Sequence, residues 1–73
     1  MKLKKLQKIF AGYESIIIWG KDENEPVWKG IVDDIPYSLI NEKLIKGPSD
    51  SYVEIRFNHP KAGVHIAVFI DES

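Results

Sequence analysis

Apolar and polar positions in the first part of the chain follow two different periods. Over residues 3–10, apolar side chains recur at three- and four-residue spacing between lysines, which predicts an amphipathic helix with an inner face of Leu3, Leu6, Ile9 and Phe10. Gly12 is expected to end this helix. Residues 14–20 are β-branched and aromatic with apolar positions on both sides, which predicts a strand inside a sheet. A polar turn at 21–26 and a strand at 27–32 complete a predicted hairpin.

The second half of the chain predicts a short helix and another hairpin. Asp34 is a predicted N-cap, and Pro36 suits the first turn of a helix over residues 36–43. Alternation over residues 52–57 and 64–70 predicts two strands. One side of these strands is expected to be core, and its members are Val53, Ile55, Phe57, Val64, Ile66, Val68 and Ile70. Alanine in place of Ile55 or Val68 is expected to cost about 2–4 kcal/mol.

These elements follow the order α-β-β-α-β-β in one small domain over residues 1–73. Short connections favour antiparallel neighbours, so the expected fold class is α+β, an antiparallel four-stranded sheet with two helices on one face. Gly30, inside the second strand, indicates a bulge or a close approach by another group. A chain this short buries only about 60–65% of its unfolded surface, so a partner or a second copy would add to its stability.

Composition and charge narrow the classes of protein. The chain has no cysteine, which excludes a disulfide framework and a thiolate zinc site. Lysines interrupt the N-terminal apolar run and no stretch is long enough to cross a bilayer, so a cytoplasmic protein without membrane contact is expected. The net charge is −1, but residues 1–13 carry four lysines and no acid, whereas residues 14–36 carry two lysines and six acidic residues, a local −4. These two poles are candidate contact surfaces.

Residue clusters typical of enzymes or metal sites do not occur at recognisable spacing. His59 and His65 have no third ligand at metal-binding spacing, and residues 22–33 lack the glycine that a calcium loop needs. The adjacent carboxylates Asp33 and Asp34 are better explained by helix capping than by acid–base work. Serines and glycines form neither a nucleophile elbow nor a phosphate loop. We therefore expect no enzyme activity, no cofactor and no metal.

The sheet face away from the helices is the predicted interaction surface. It is expected to collect Trp19, Trp28, Tyr52, Arg56, His65 and Phe69. Such a face binds single-stranded bases or another protein, including a second copy, unless the first helix or the C-terminal segment covers it. Protein is favoured, because Glu54 and an acidic surface in the first hairpin would repel phosphate. The acidic surface comprises Asp22, Glu23 and Glu25.

A lysine-rich face on the first helix supports a different interpretation. Its members, placed to neutralise nucleic-acid phosphates, are Lys2, Lys4, Lys5 and Lys8. The acidic balance of the whole chain argues against tight binding, so nucleic acid is the alternative partner.

A short motif at the predicted second helix carries a resemblance. Its residues are Gly30, Asp34, Ile35, Pro36, Tyr37 and Leu39. In this motif the chain resembles small proteins encoded by phages and prophages of low-GC Gram-positive bacteria, which implies an accessory role on a mobile element and transfers no active-site residue. The resulting hypothesis is a non-enzymatic protein-interaction module, expected to be a homodimer, that binds and occludes a host or phage protein. The alternative is a nucleic-acid-binding accessory protein that uses the lysine-rich helix.

Overall fold

The computed structural model describes residues 1–59 and 63–71, and that part of the chain contains one helix and five strands. The helix is α1 (Leu3–Ile9), and the strands are β1 (Ser15–Trp19), β2 (Trp28–Ile31), β3 (Leu44–Ile45), β4 (Val53–His59) and β5 (Gly63–Ile70). A single turn of 3₁₀ helix, Val32–Asp34, follows β2. Asp34, the predicted N-cap, is the last residue of this turn and caps no helix.

The strands form one mixed sheet with β5 at its centre. β1 runs parallel to β5 along one edge, and β2 pairs antiparallel with the outer edge of β1. β4 and β3 both pair antiparallel with β5. Phe69 of β5 has Trp19 of β1 opposite it on one side and Ile45 of β3 on the other. β3 and β4 therefore lie end to end along the edge of β5 that faces away from β1.

The α+β class, both predicted hairpins and the interior position of β1 are confirmed, whereas the purely antiparallel four-stranded sheet is wrong in detail. β1 and β5 are parallel, and β3 adds a fifth strand of two residues. A parallel pair needs a long crossover instead of a tight turn. Its two strands therefore lie far apart in the sequence, and the alternation within each strand does not indicate which distant strand pairs with it.

The core lies between α1 and one face of the sheet, here called the core face. Leu3 and Leu6 of α1 pack in a single cluster with residues of the sheet and its connections, namely Ile16, Ile18, Val32, Ile35, Leu44, Ile66, Val68 and Ile70. The amphipathic helix is therefore confirmed for Leu3, Leu6 and Phe10, but the placement of Ile9 on its inner face was wrong, because Ile9 is 60% exposed. The helix ends at Ile9 and not at Gly12, because Phe10 already has an extended backbone.

The predicted helix over residues 36–43 does not form, and the segment makes turns in which Leu39 N–H donates to Pro36 and Glu42 N–H donates to Leu39. The N–H groups of Leu3 and Lys4 donate to the carbonyls of Glu42 and Ile40, at 3.0 and 2.7 Å. α1 has no side-chain N-cap, so these carbonyls satisfy N–H groups that the first turn of any helix leaves unpaired. Residues 36–43 therefore pair with a segment that is distant in the sequence, and local helix signals do not indicate such a contact.

Part of the predicted core of the β4–β5 hairpin is exposed. Ile55 lies opposite Ile66 and so shares the core face, yet Ile55, Phe57 and Val64 are 54, 67 and 63% exposed. α1 has seven residues, about 10 Å of helix, and no second helix lies beside it in the described residues. The period of the strands was predicted correctly. The assignment of these three side chains to the core was wrong, because the helix expected to cover them is missing.

Trp28 belongs to the core face, whereas Trp19 lies on the opposite side of the sheet. Trp28 is paired with Ile18 across the β1–β2 hairpin and packs against the core cluster. Its indole runs back along the strand over Gly30, where a Cβ would come within 2.7 Å of the ring. The close approach predicted at Gly30 is therefore confirmed, and the regular register of β1 with β2 shows that no bulge is involved.

The contrast between Val68 and Ile55 tests this boundary of the core. Val68 is fully buried, so Val68→Ala is expected to lower the free energy of unfolding by about 2 kcal/mol through the cavity it leaves. Ile55→Ala shortens a half-exposed side chain and is expected to cost less than about 1 kcal/mol. Urea denaturation of both variants in dilute solution measures the difference. Equal losses of unfolding free energy in the two variants would mean that Ile55 is covered in solution as well as Val68 is.

Candidate functional site

The sheet face opposite α1, here called the reverse face, brings together four of the predicted interaction residues. Trp19 on β1 lies opposite Phe69 on β5, and Arg56 on β4 lies opposite His65 on β5. Because side chains alternate along a strand, these residues point away from the core-face isoleucines. Strand parity predicted this side correctly for Arg56, His65 and Phe69, but the placement of Trp28 with them was wrong, because Trp28 lies on the core face.

A charged pair covers the ring of Phe69. Arg56 donates from Nε and Nη2 to Glu54 Oε1, at 3.0 and 2.8 Å. The Arg56 guanidinium lies 5.2 Å from the centroid of the Phe69 ring, within the range of a cation–π contact. The ring also lies against Gly47, where any Cβ would overlap it. The aromatic ring expected to be free for docking is therefore already in contact with its own chain.

The centre of the reverse face is closed. Ile17, Ala67 and His65 are all buried, although α1 lies on the other side of the sheet. Two loops border this face, at residues 20–23 and 46–50, and leave a cleft of about 280 Å³ whose lining is Trp19, Gly20, Asp22, Glu23, Pro48, Arg56 and Phe69. The rings are partly covered by these loops, and not by the first helix.

Tyr52 lies beside the second of these loops. Lys46 Nζ is 5.9 Å from the centroid of the Tyr52 ring and 3.7 Å from Asp50 Oδ1. Tyr52 precedes β4 and is not paired in the sheet. Its position is therefore set by the loop and not by the strand register that places Arg56.

The predicted acidic surface is exposed in the loop between β1 and β2, and comprises Asp22, Glu23 and Glu25. Asp22 Oδ1 accepts the backbone N–H of Asn24 at 2.8 Å, a contact that stabilises the turn. Asp22 and Glu23 also border the reverse-face cleft, which gives the cleft a negative rim on the side away from Pro48.

Another exposed apolar surface lies on the core face beyond α1. We call it the hairpin patch, and its members are Tyr13, Ile55, Phe57 and Val64. Tyr13 is 80% exposed and, with Ile55 and Val64, lines a hollow of about 300 Å³ at the N-terminal ends of β1 and β5. Contiguous exposed apolar side chains indicate a contact surface. The sequence did not reveal this surface, because its alternation is the same as that of a buried strand.

The lysine-rich surface of α1 is present as predicted from the helical period. Lys2, Lys4, Lys5 and Lys8 are exposed, while Leu3 and Leu6 are buried beneath them. Lys8 lies in the last turn, where a cation interacts favourably with the C-terminal end of a helix. Lys8 therefore has a structural role that needs no nucleic acid.

The side chains considered for chemistry do not assemble into a reactive group. In the described part of the chain, no three His, Asp or Glu side chains lie close enough together to hold a metal ion. The side chain of His59 lies outside that part. His65 Nδ1 is 3.0 Å from a backbone carbonyl of β5, and the Asp33 carboxylate lies against Gly12.

No protein-family model matches the chain, and no curated protein or solved structure is significantly similar to it. Within residues 1–59 and 63–71, no helix is long and apolar enough to cross a membrane. The functional inference therefore depends on the surfaces of the fold.

Glu54 provides a test of the reverse-face contacts. Burial alone would raise the pKa of its carboxyl, but hydrogen bonds from Arg56 and Ser49 outweigh burial and hold the pKa below its ordinary value. The ionised carboxylate therefore stabilises the folded state at neutral pH, and this contribution is lost as the pH falls through the lowered pKa. We expect Glu54→Gln to lose about 1 kcal/mol or less at neutral pH and to be less sensitive to acid than the wild type.

Melting temperature measured against pH in dilute solution checks this expectation. Glu25→Gln, an exposed carboxylate in the β1–β2 loop, is the matched control and should keep the acid response of the wild type. Identical pH profiles for the wild type and Glu54→Gln would contradict a stabilising role for the pair with Arg56.

Proposed function

We propose that the protein is a small, non-enzymatic interaction module that acts in the cytoplasm by binding another protein and occluding a surface on it. The observation that carries the proposal is the hairpin patch, whose four large apolar side chains are exposed, whereas Ile66, Val68 and Ile70 of the core face are buried. The resemblance to phage and prophage proteins supports an accessory role, with a host or phage protein as the target.

The energetics of the hairpin patch favour an occupant. Full burial of one large apolar side chain contributes about 1.5–3 kcal/mol, and most of this gain is unrealised at Tyr13, Phe57 and Val64. Aromatic side chains near the centre of an interface carry much of its binding energy. The hollow beside Tyr13 offers a recess for a partner side chain.

The hairpin patch takes the place of the reverse face as the proposed main docking surface. A partner on the reverse face would have to displace the Arg56 guanidinium from Phe69 and open its ion pair with Glu54. No charged group of this kind covers Phe57 or Val64 in the described residues. Docking at the hairpin patch therefore needs less rearrangement of the free protein.

A photo-crosslinking amino acid in place of Phe57 tests the proposal in cells that express the protein. We expect discrete adducts with protein from this position, because Phe57 would lie inside the interface. The matched control places the same amino acid at Ile9, which is 60% exposed on α1, and should give no discrete adduct. Adduct mass distinguishes a second copy of the chain from a different protein. Equal labelling from both positions, or none from either, would rule out docking at the hairpin patch.

The second candidate function is nucleic-acid binding through α1. The four exposed lysines favour it, since the first thirteen residues contain no acidic side chain to oppose phosphate. Phosphate contacts release counterions, so binding of this kind weakens steeply as the salt concentration rises.

Fluorescence titration with single- and double-stranded oligonucleotides at two salt concentrations separates the two functions. We expect no steeply salt-dependent binding, and no difference between the wild type and Lys4→Glu/Lys5→Glu. The control with the same change in charge is Lys29→Glu/Lys46→Glu, at exposed lysines outside α1. Binding that falls with salt, disappears in the α1 variant and persists in the control would favour the nucleic-acid function instead.

A further inference from the structure

β4 has a free edge. Among the described strands β4 pairs with β5 alone. β3 pairs with β5 beyond the end of β4, so β3 does not cover the outer edge of β4. An edge strand carries unpaired N–H and C=O groups that can pair with another chain. Residues 53–57 are the regular part of this edge, since the register with β5 shifts between Arg56 and His59.

We propose that two copies of this chain pair through β4, antiparallel, about a two-fold axis at Ile55. The inference rests on the proposed function, in which the hairpin patch is a docking surface. It names a second copy of the chain as the partner at the adjoining edge of β4. In this register Ile55 meets Ile55 of the second copy, and Val53 meets Phe57. Glu54 meets Arg56 of the second copy on the reverse face, and the same contact repeats across the axis.

Charge selects this register over its neighbours. An axis at Glu54 would place two carboxylates opposite each other, and an axis at Arg56 would place two guanidinium groups opposite each other, both of which are destabilising. An axis between two residues would pair a core-face side chain with a reverse-face one, which the alternation of a strand does not allow. Ile55 is therefore the centre that pairs all five residues of Val-Glu-Ile-Arg-Phe and places unlike charges opposite each other.

The charges are already placed for this contact. Glu54 and Arg56 form an ion pair within one chain, with side chains 15 and 34% exposed. Pairing of two copies converts two such pairs into a network of four alternating charges around the axis. On the core face, it gives exposed Ile55 and Phe57 apolar neighbours from the second copy.

The free edge of β2 does not offer the same match. β2 has four residues, and pairing about Lys29 would bring two ammonium groups together. Lysines on an edge strand usually act against association. Self-association is therefore expected at β4 and not at β2.

A contact of five residues on each strand is smaller than a standard protein interface, which buries about 1,600 Å². The dimer is therefore expected to dissociate in the micromolar range and to be visible by sedimentation as a concentration-dependent equilibrium.

The first test is disulfide cross-linking of Ile55→Cys. The chain contains no cysteine, so this variant has a single thiol. Directly opposed Cβ atoms in an antiparallel pair lie close to disulfide distance. Mild oxidation should cross-link Ile55→Cys about tenfold or more faster than Ile9→Cys, a similarly exposed control on α1 that lies away from the axis and outside the hairpin patch. Equal rates for the two variants would overturn the proposed register.

The second test exchanges charges between copies. Glu54→Lys and Arg56→Glu each place like charges across the axis, so each alone should dimerise at least about tenfold more weakly than the wild type. An equimolar mixture should recover the dimer, because the two variants complement each other across the axis. Mixing cannot rebuild the ion pair within a chain, so recovery reports the interface. A mixture that stays monomeric, or a wild type that sediments as a monomer up to millimolar concentration, would overturn the proposal.

Failure of this inference differs from failure of the proposed function. If Ile55→Cys does not cross-link but the photo-crosslinker at Phe57 labels a different protein, the module has a foreign occupant and does not self-pair. If neither Ile55→Cys nor the photo-crosslinker at Phe57 gives adducts, the hairpin patch is not a docking surface. Circular dichroism checks that each charge variant is folded. If a charge variant does not fold, the cysteine variants at exposed positions still test the proposed pairing.

Discussion

The parallel pairing of β1 with β5 is the constraint on which the rest of the structure depends. Its three central pairs, Ile16–Ile66, Ile17–Ala67 and Ile18–Val68, are buried on both faces of the sheet. A parallel pair is stable only when both of its faces are covered. α1 covers one face. On the other face, the two bordering loops and the Glu54–Arg56 pair close the surface. The helix, the loops and this ion pair therefore all serve to cover the central β1–β5 pair.

Local patterns predicted the elements whose stability is local. The alternation of β4 and β5 and the apolar faces of β1 were sufficient for both hairpins, since each joins neighbouring strands through a short turn. The helix over residues 36–43 was predicted from equally local signals, but the segment forms turns and pairs with the start of α1. The carbonyls of Ile40 and Glu42 accept hydrogen bonds from the start of α1, and nothing near them in the sequence indicates that partner.

The candidate site was predictable in its grouping and not in its exposure. Strand parity placed Arg56 and Phe69 on one side of the sheet without deciding which tryptophan joins them, and the structure brings Trp19 to the same cleft. Parity does not report whether a face is covered. Because the expected second helix is missing, the side chains of Ile55 and Phe57, which were predicted to be core, are exposed. The reverse face, which was predicted to be open, is closed over its centre.

The one helix in the described part of the chain has seven residues and cannot cover strands of seven and eight residues, so the end of the β4–β5 hairpin is exposed in the single chain. The alternation that leaves Ile55 and Phe57 exposed also puts Glu54 and Arg56 on the reverse face. These two charges act in both places, because within one chain they close over Phe69 and at the free edge they oppose the registers centred on Glu54 or Arg56. Charged edge strands usually prevent association. Here the opposite charges on either side of Ile55 instead favour antiparallel pairing of two β4 strands centred on Ile55.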